Sequence, residues 1–171
     1  MSQLLDNILS RSNMLDAYNQ VRANKGSAGI DGITIDEIDD YLRKHWRSTK
    51  ELIKQRKYKP QPVLRVEIPK PNGGVRQLDI PTVMDRMIQQ AIVQVISPIC
   101  EPYFSEKSYG FRPNRSCEQA VIQLLEYLND GYEWIVDIDL EKFFDTVPQD
   151  RLMSLVHNII QDGDTESLIR K

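Results

Sequence analysis

The sequence predicts an α+β fold, and three observations carry that expectation. Most of the chain places apolar residues at helical spacing. Two short alternating runs, "VLRVEIPK" and "VRQLDIP", flank "PNGG", the pattern of a β-hairpin. A third run, "WIVDIDL", alternates like a lone strand near the end.

The elements follow in order. Leu4, Leu5, Ile8 and Leu9 mark a short amphipathic helix. Met14, Leu15, Tyr18 and Val21 mark a second, after the capping pair Ser12-Asn13. "NKGSAGIDGIT" breaks the period with three glycines, so residues 24–34 read as an irregular loop. Asp36 is placed to cap a long helix through Ile38, Tyr41, Leu42, His45 and Trp46 towards Ile53, ended by "YKPQP". After the hairpin, Thr82 and Asp85 start another helix, with Met87, Ile88, Ala91, Ile92, Val95 and Ile96 as its apolar stripe. Pro98 and Pro102 are expected to interrupt it, and "SYGFRPNRS" reads as a loop. Ser116 and Gln119 form a capping box for a helix expected to bury Val121, Leu124, Leu125 and Leu128. Pro148 opens a last helix with Leu152, Leu155, Val156 and Ile159 on one face.

Composition excludes several classes. With 171 residues, 40% apolar and 27% charged, the chain has ordinary globular make-up and length for one domain or a small pair. No run of about 18 apolar residues exists, so no membrane span is expected. The first residues lack the pattern of a signal peptide. Cys100 and Cys117 stand apart from any CxxC, with only His45 and His157 as further soft ligands. Two buried thiols in a reducing cytosol are the expectation, not a zinc site. The net charge of −3 is unevenly spread. Residues 43–86 hold twelve basic and four acidic side chains, while residues 87–171 hold seven basic and fourteen acidic. The first block suits phosphates and part of the second suits a divalent cation, although two solvated faces would look alike on charge alone.

In the lone strand, Trp134, Val136, Ile138 and Leu140 share one face and are expected in a core. Ile135, Asp137, Asp139 and Glu141 share the other. Paired carboxylates on one face repel unless a cation or hydrogen bonds compensate, which suits magnesium chemistry. Asp137 alone reads better as a solvated or capping residue. Phe144 follows Asp139 by five positions, and Phe143 reads as a core residue.

Taken together, "GIDGIT", "RVEIPKPNGGVRQLDIPTVMDRMIQQAI", "SYGFRPNRS" and "DIDLEKFFDTV" resemble the bacterial group II intron-encoded reverse transcriptases, or maturases. The resemblance covers nearly the whole chain in order. It implies polymerase fingers with part of a palm: residues 1–85 as fingers with an N-terminal extension and the basic hairpin, and residues 86–171 as a partial palm with helices returning to the fingers. It implies Asp139 as catalytic carboxylate and ligand of Mg2+ (Mn2+ as substitute). Lys70, Arg76, Leu140 and Phe144 would hold the nucleotide, with Phe144 under the sugar. Arg65, Gly29, Gly32, Phe111 and Arg112 would lie against template RNA. For Arg112 an internal salt bridge is the alternative, and for the aromatics of the loop, Tyr109 and Phe111, a core plug. The implied partners are intron RNA template, a DNA or RNA primer and deoxynucleoside triphosphates, in a bacterial cytoplasm, with room for a homo-oligomer.

Two departures from the family pattern stand out. Leu64 replaces a basic residue, and Asp79 replaces a glycine common in "RPLGIPT", where it is expected to orient or neutralise Arg76. The family's later "YADD" segment, which supplies the other metal-binding aspartates, has no counterpart here. The expectation is therefore an N-terminal piece that binds RNA but does not polymerise alone. An RNA-binding scaffold and a retron- or diversity-generating relative are the alternatives. A metal-dependent nuclease is disfavoured, since no second acidic cluster with histidine accompanies Asp139.

Overall fold

The computed structural model describes residues 2–140 and 142–171. Glu141, expected on the carboxylate face, lies outside the described residues. Helices dominate: α1 (Gln3–Ile8), α2 (Arg11–Ala23), α3 (Ile38–Lys54), α4 (Val83–Cys100), α5 (Cys117–Asn129), α6 (Phe143–Thr146), α7 (Gln149–Ile160) and α8 (Gly163–Ile169). The strands among the described residues are β1 (Leu64–Pro69) and β2 (Val75–Ile80), an antiparallel pair.

The core gathers around the first half of α4. Met84, Met87, Ile88 and Ala91 pack with Leu5, Ile8 and Leu9 of the α1 end, Met14 and Ala17 of α2, Ile53 of α3 and Leu168 of α8. Side-chain amides lock this packing. Asn13 Nδ2 donates to the carbonyls of Ile8 and Ala91, both at 2.9 Å, and Gln94 Nε2 donates to Asn13 Oδ1 at 2.8 Å. Asn13 is thus a cross-helix tie. The cap of α2 is Ser10, whose hydroxyl accepts from Asn13 N–H at 3.3 Å, two residues before the expected Ser12.

Other boundaries also moved. Glu37, not Asp36, precedes α3, and its carboxylate holds the loop by accepting from Thr34 N–H (3.0 Å) and Thr34 Oγ1 (2.7 Å). Pro98 lies inside α4 rather than ending it, and Pro102 sits in a 3₁₀ turn at Glu101–Tyr103. The capping box of Ser116 and Gln119 forms as read. Helix α8, capped by Asp162, is an addition that the periodicity of seven residues does not announce.

Between Glu101 and Ile160 the only buried residue, backbone and side chain taken together, among the described residues is Met153. Val121, Leu124, Leu125 and Leu128 are exposed on α5, and so are Leu152 and Leu155 on α7. The expected strand is absent too. Residues 132–140 run without a sheet partner, and Trp134, Val136, Ile138 and Leu140 face solvent. The reason is physical: a strand needs a neighbour for its backbone groups, and β1 and β2 satisfy only each other. Phe143 is likewise half exposed, edge-on to Phe144 at 5.6 Å between ring centres. Cys117 is exposed and Cys100 half-buried, so the thiols are not the buried pair expected.

Candidate nucleotide and template site

The hairpin register sorts its side chains. Ile68 opposes Arg76, Val66 opposes Leu78 and Leu64 opposes Ile80, so these six share a face with Lys70 at its tip. Arg65 opposes Asp79 on the other face, with Glu67 opposite Gln77. The turn is tight because Gly73 and Gly74 both adopt left-handed angles (φ +86° and +82°). Lys70 N–H donates to Gly74 O at 3.0 Å, and Gly73 N–H to Lys70 O at 3.1 Å. Lys70 and Arg76 then line one open cavity of about 440 Å³ with Ile68, Pro69, Pro71 and Asn72. Two cations, one compact and one forked, border the same space without a carboxylate in its wall.

Asp79 does not serve Arg76. It receives two bonds from Arg65, Nε to Oδ1 at 2.8 Å and Nη2 to Oδ2 at 3.0 Å, across the opposite face. This pairing lowers the Asp79 carboxyl below its ordinary value and raises the Arg65 guanidinium. Arg65 is exposed but already engaged, which restricts it as a template contact.

Asp139 and Leu140 are exposed on the extended segment, and Phe144 is 89% exposed. The Asp139 carboxylate makes no hydrogen bond or ion pair among the described residues. Its oxygens are hard donors suited to a divalent cation. However, no three His, Cys, Asp or Glu gather as a metal site among the described residues. Asp139 offers one ligand, not an enclosure.

The "SYGFRPNRS" loop divides its residues by role. Phe111 is fully exposed in a left-handed conformation (φ +56°), so it plugs no core. Arg112 does the opposite. Its side chain is 8% exposed, and its guanidinium donates to Glu101 Oε1 at 2.7 and 3.1 Å and to the carbonyl of Ser108 at 2.9 Å. That occupation favours the internal salt bridge over a template contact, because the guanidinium is engaged by Glu101 and by the Ser105 and Ser108 carbonyls.

The glycines of "GIDGIT" also part ways. A Cβ on Gly29 would lie 2.7 Å from Thr82 Cα and backbone N, so the close approach there is to the start of α4, not to an external phosphate. Gly32 is left-handed (φ +71°) with open space around it. Arg86 holds the same loop from α4, donating Nη2 to Ser27 O at 2.6 Å, and its burial lowers its basicity. Arg86 and Asp85 were legible only as helix residues, because burial, not motif, gives them their roles.

The family described as Reverse transcriptase (RNA-dependent DNA polymerase) matches residues 68–170, from the hairpin to α8. A COX1/OXI3 intron 2 protein of Saccharomyces cerevisiae is 36% identical over 161 residues, 92% of this chain and 18% of that protein. Group II intron-encoded protein LtrA of Lactococcus lactis subsp. cremoris is 35% identical over 156 residues, 91% of this chain and 26% of LtrA. Nuclear intron maturase 1, mitochondrial, of Arabidopsis thaliana is 30% identical over 100 residues, 57% of this chain and 14% of that protein. The chain thus spans about a quarter or less of these relatives, and they are intron-associated proteins of bacterial, fungal and plant origin. No described helix is long and apolar enough to cross a membrane. With its matched region running from the cationic hairpin through Asp139 and Phe144, the chain belongs to the reverse transcriptase family.

Proposed function

We propose that this chain supplies the nucleotide-gripping and template-gripping part of an RNA-directed DNA polymerase that copies group II intron RNA and assists its splicing. Residues 1–85 act as fingers and residues 86–171 as part of the palm, in a bacterial cytoplasm. Lys70 and Arg76 receive the triphosphate of an incoming deoxynucleotide, and Phe144 and Leu140 border its sugar. Asp139 provides one ligand to Mg2+, or Mn2+ in its place, and the ion would draw charge from the phosphates. Phe111 offers a face for an unpaired base, and Gly32 lets the loop backbone approach the template.

The cavity lined jointly by Lys70 and Arg76 carries this reading. Guanidinium and ammonium together suit a phosphate group whose charge grows during transfer. Steady-state incorporation by the reverse transcriptase carrying these residues tests it. Lys70→Ala and Arg76→Ala should each raise the KM for deoxynucleotide by roughly 10- to 100-fold, the scale of one charge-assisted hydrogen bond. An unchanged KM in both variants overturns the assignment.

A second reading has its own support. Arg43, Arg47, Lys50 and Lys54 recur at spacings of three and four along α3, a basic row in which Arg43 also pairs with Asp40 (3.1 Å) and Lys50 also donates to the Leu9 carbonyl (2.8 Å). On that reading the 171 residues by themselves grip RNA by charge and do not polymerise. The later acidic motif is not in their sequence, and Asp139 has no companion ligands among the described residues.

A further inference from the structure

The hairpin joins the helical body through two roots. Residues 65–79 are all exposed, so nothing buried along the strands fixes their attitude. Residues 55–63 lead in from α3, and Pro81 and Thr82 lead out into α4. Both roots meet one side chain. Asp85, 3% exposed in the first turn of α4, accepts from the Tyr58 hydroxyl at Oδ1. At Oδ2 it accepts from the Gln61 backbone N–H (3.2 Å) and from Thr82 Oγ1 (2.6 Å). Thr82 Oγ1 in return accepts from Asp85 N–H at 3.1 Å. The helix cap needs only that last bond. The bonds to Tyr58 and Gln61 reach back across 27 and 24 residues, to the far side of the hairpin.

The chemistry fits a fixed pin. A carboxylate presents two acceptor oxygens and no donor, and three donors converge on it here. The helix N-terminus favours its negative charge. Burial, then the bond to Asp85, push the Tyr58 phenol well above its ordinary value, so it stays a donor. The N–H groups of Lys57 and Tyr58 both donate to Leu52 O (2.8 and 3.1 Å), which fastens the incoming root to α3.

We propose that Asp85 is a positioning residue for the hairpin, clamping its incoming root through Tyr58 and Gln61 and its outgoing root through Thr82. The clamp sets the angle at which Lys70 and Arg76 are presented. That last consequence rests on the function proposed for the two cations; the clamp itself does not.

Two measurements separate the parts. In the 171-residue chain with Cys100→Ser and Cys117→Ser, spin labels at Asn72→Cys and Lys44→Cys report the distance between hairpin tip and α3 by pulsed electron paramagnetic resonance. One narrow distribution is expected. Tyr58→Phe should broaden it, and Asp85→Asn should broaden it more, with helical circular dichroism retained. Native width in folded Tyr58→Phe and Asp85→Asn chains overturns the proposal. If Asp85→Asn does not fold, Tyr58→Phe decides alone. In the polymerase, Tyr58→Phe should raise the deoxynucleotide KM about 10-fold, with kcat at saturation kept. Broadening without a change in KM sustains the clamp and removes the role assigned to Lys70 and Arg76.

Discussion

Gly29 and Gly32 sit three residues apart and answer to different constraints. Gly29 has no room for a methyl group against Thr82, whereas Gly32 has room but an unfavourable backbone angle. Gly29→Ala should cost about 1–3 kcal/mol through forced displacement of the α4 start. Gly32→Ala should cost about 1 kcal/mol through backbone strain. Chemical denaturation of both variants checks the order. Arg112 invites a paired test. Its removal leaves Glu101 without its partner and the Ser108 carbonyl without a donor, so Arg112→Ala should cost about 2 kcal/mol. RNA affinity of the folded variant should hold within about two-fold, since the guanidinium is spent internally. The sequence displayed all three residues in recognisable motifs. It did not display which neighbour each faces, because packing against Thr82 or Glu101 is decided by chain segments far from the motif.

At the scale of elements, the hairpin was legible in detail: alternation gave the strands, and Asn-Gly-Gly gave the turn. Parity alone also separates Arg65 and Asp79 from Lys70 and Arg76, and the pairing sets Asp79 across from Arg65 rather than beside Arg76. Register settled it. Helices α5 and α7 were legible as helices but not as exposed ones, because an apolar stripe states a need for cover without naming what supplies it. The stripe on α3 carries a prediction of its own. RNA binding by the chain should weaken on the order of 10- to 100-fold between about 50 and 200 mM salt, the response of a few released counterions. Arg43→Gln with Arg47→Gln should flatten that dependence in filter binding. A salt-independent affinity would remove the stripe from the RNA contact.

Across the whole molecule, the two ends are fastened together. Ser2 N–H donates to Asp164 Oδ2 at 3.0 Å, Ser2 Oγ to Asp162 Oδ1 at 2.8 Å, and Arg56 Nε to Asp164 Oδ1 at 2.7 Å. The Arg56 bond and then the Ser2 bond lower the Asp164 carboxyl below its ordinary value. A carboxyl depressed in the folded chain contributes stability above its unfolded pKa, and that contribution fades as pH falls through the depressed value. Asp164→Asn should therefore lower stability near neutral pH and shrink the loss on acidification, as urea midpoints across pH 2–6 would show (roughly the carboxylate range). This fastening is not legible in the sequence because it joins residues more than 100 positions apart.

The bare run at 132–140 leaves the chain with an optical handle. Of its two tryptophans, Trp134 is 91% exposed while Trp46 is partly sheltered beside α2. Light emitted from Trp134 should be red-shifted and readily quenched by acrylamide, and should turn blue whenever another polypeptide covers that run.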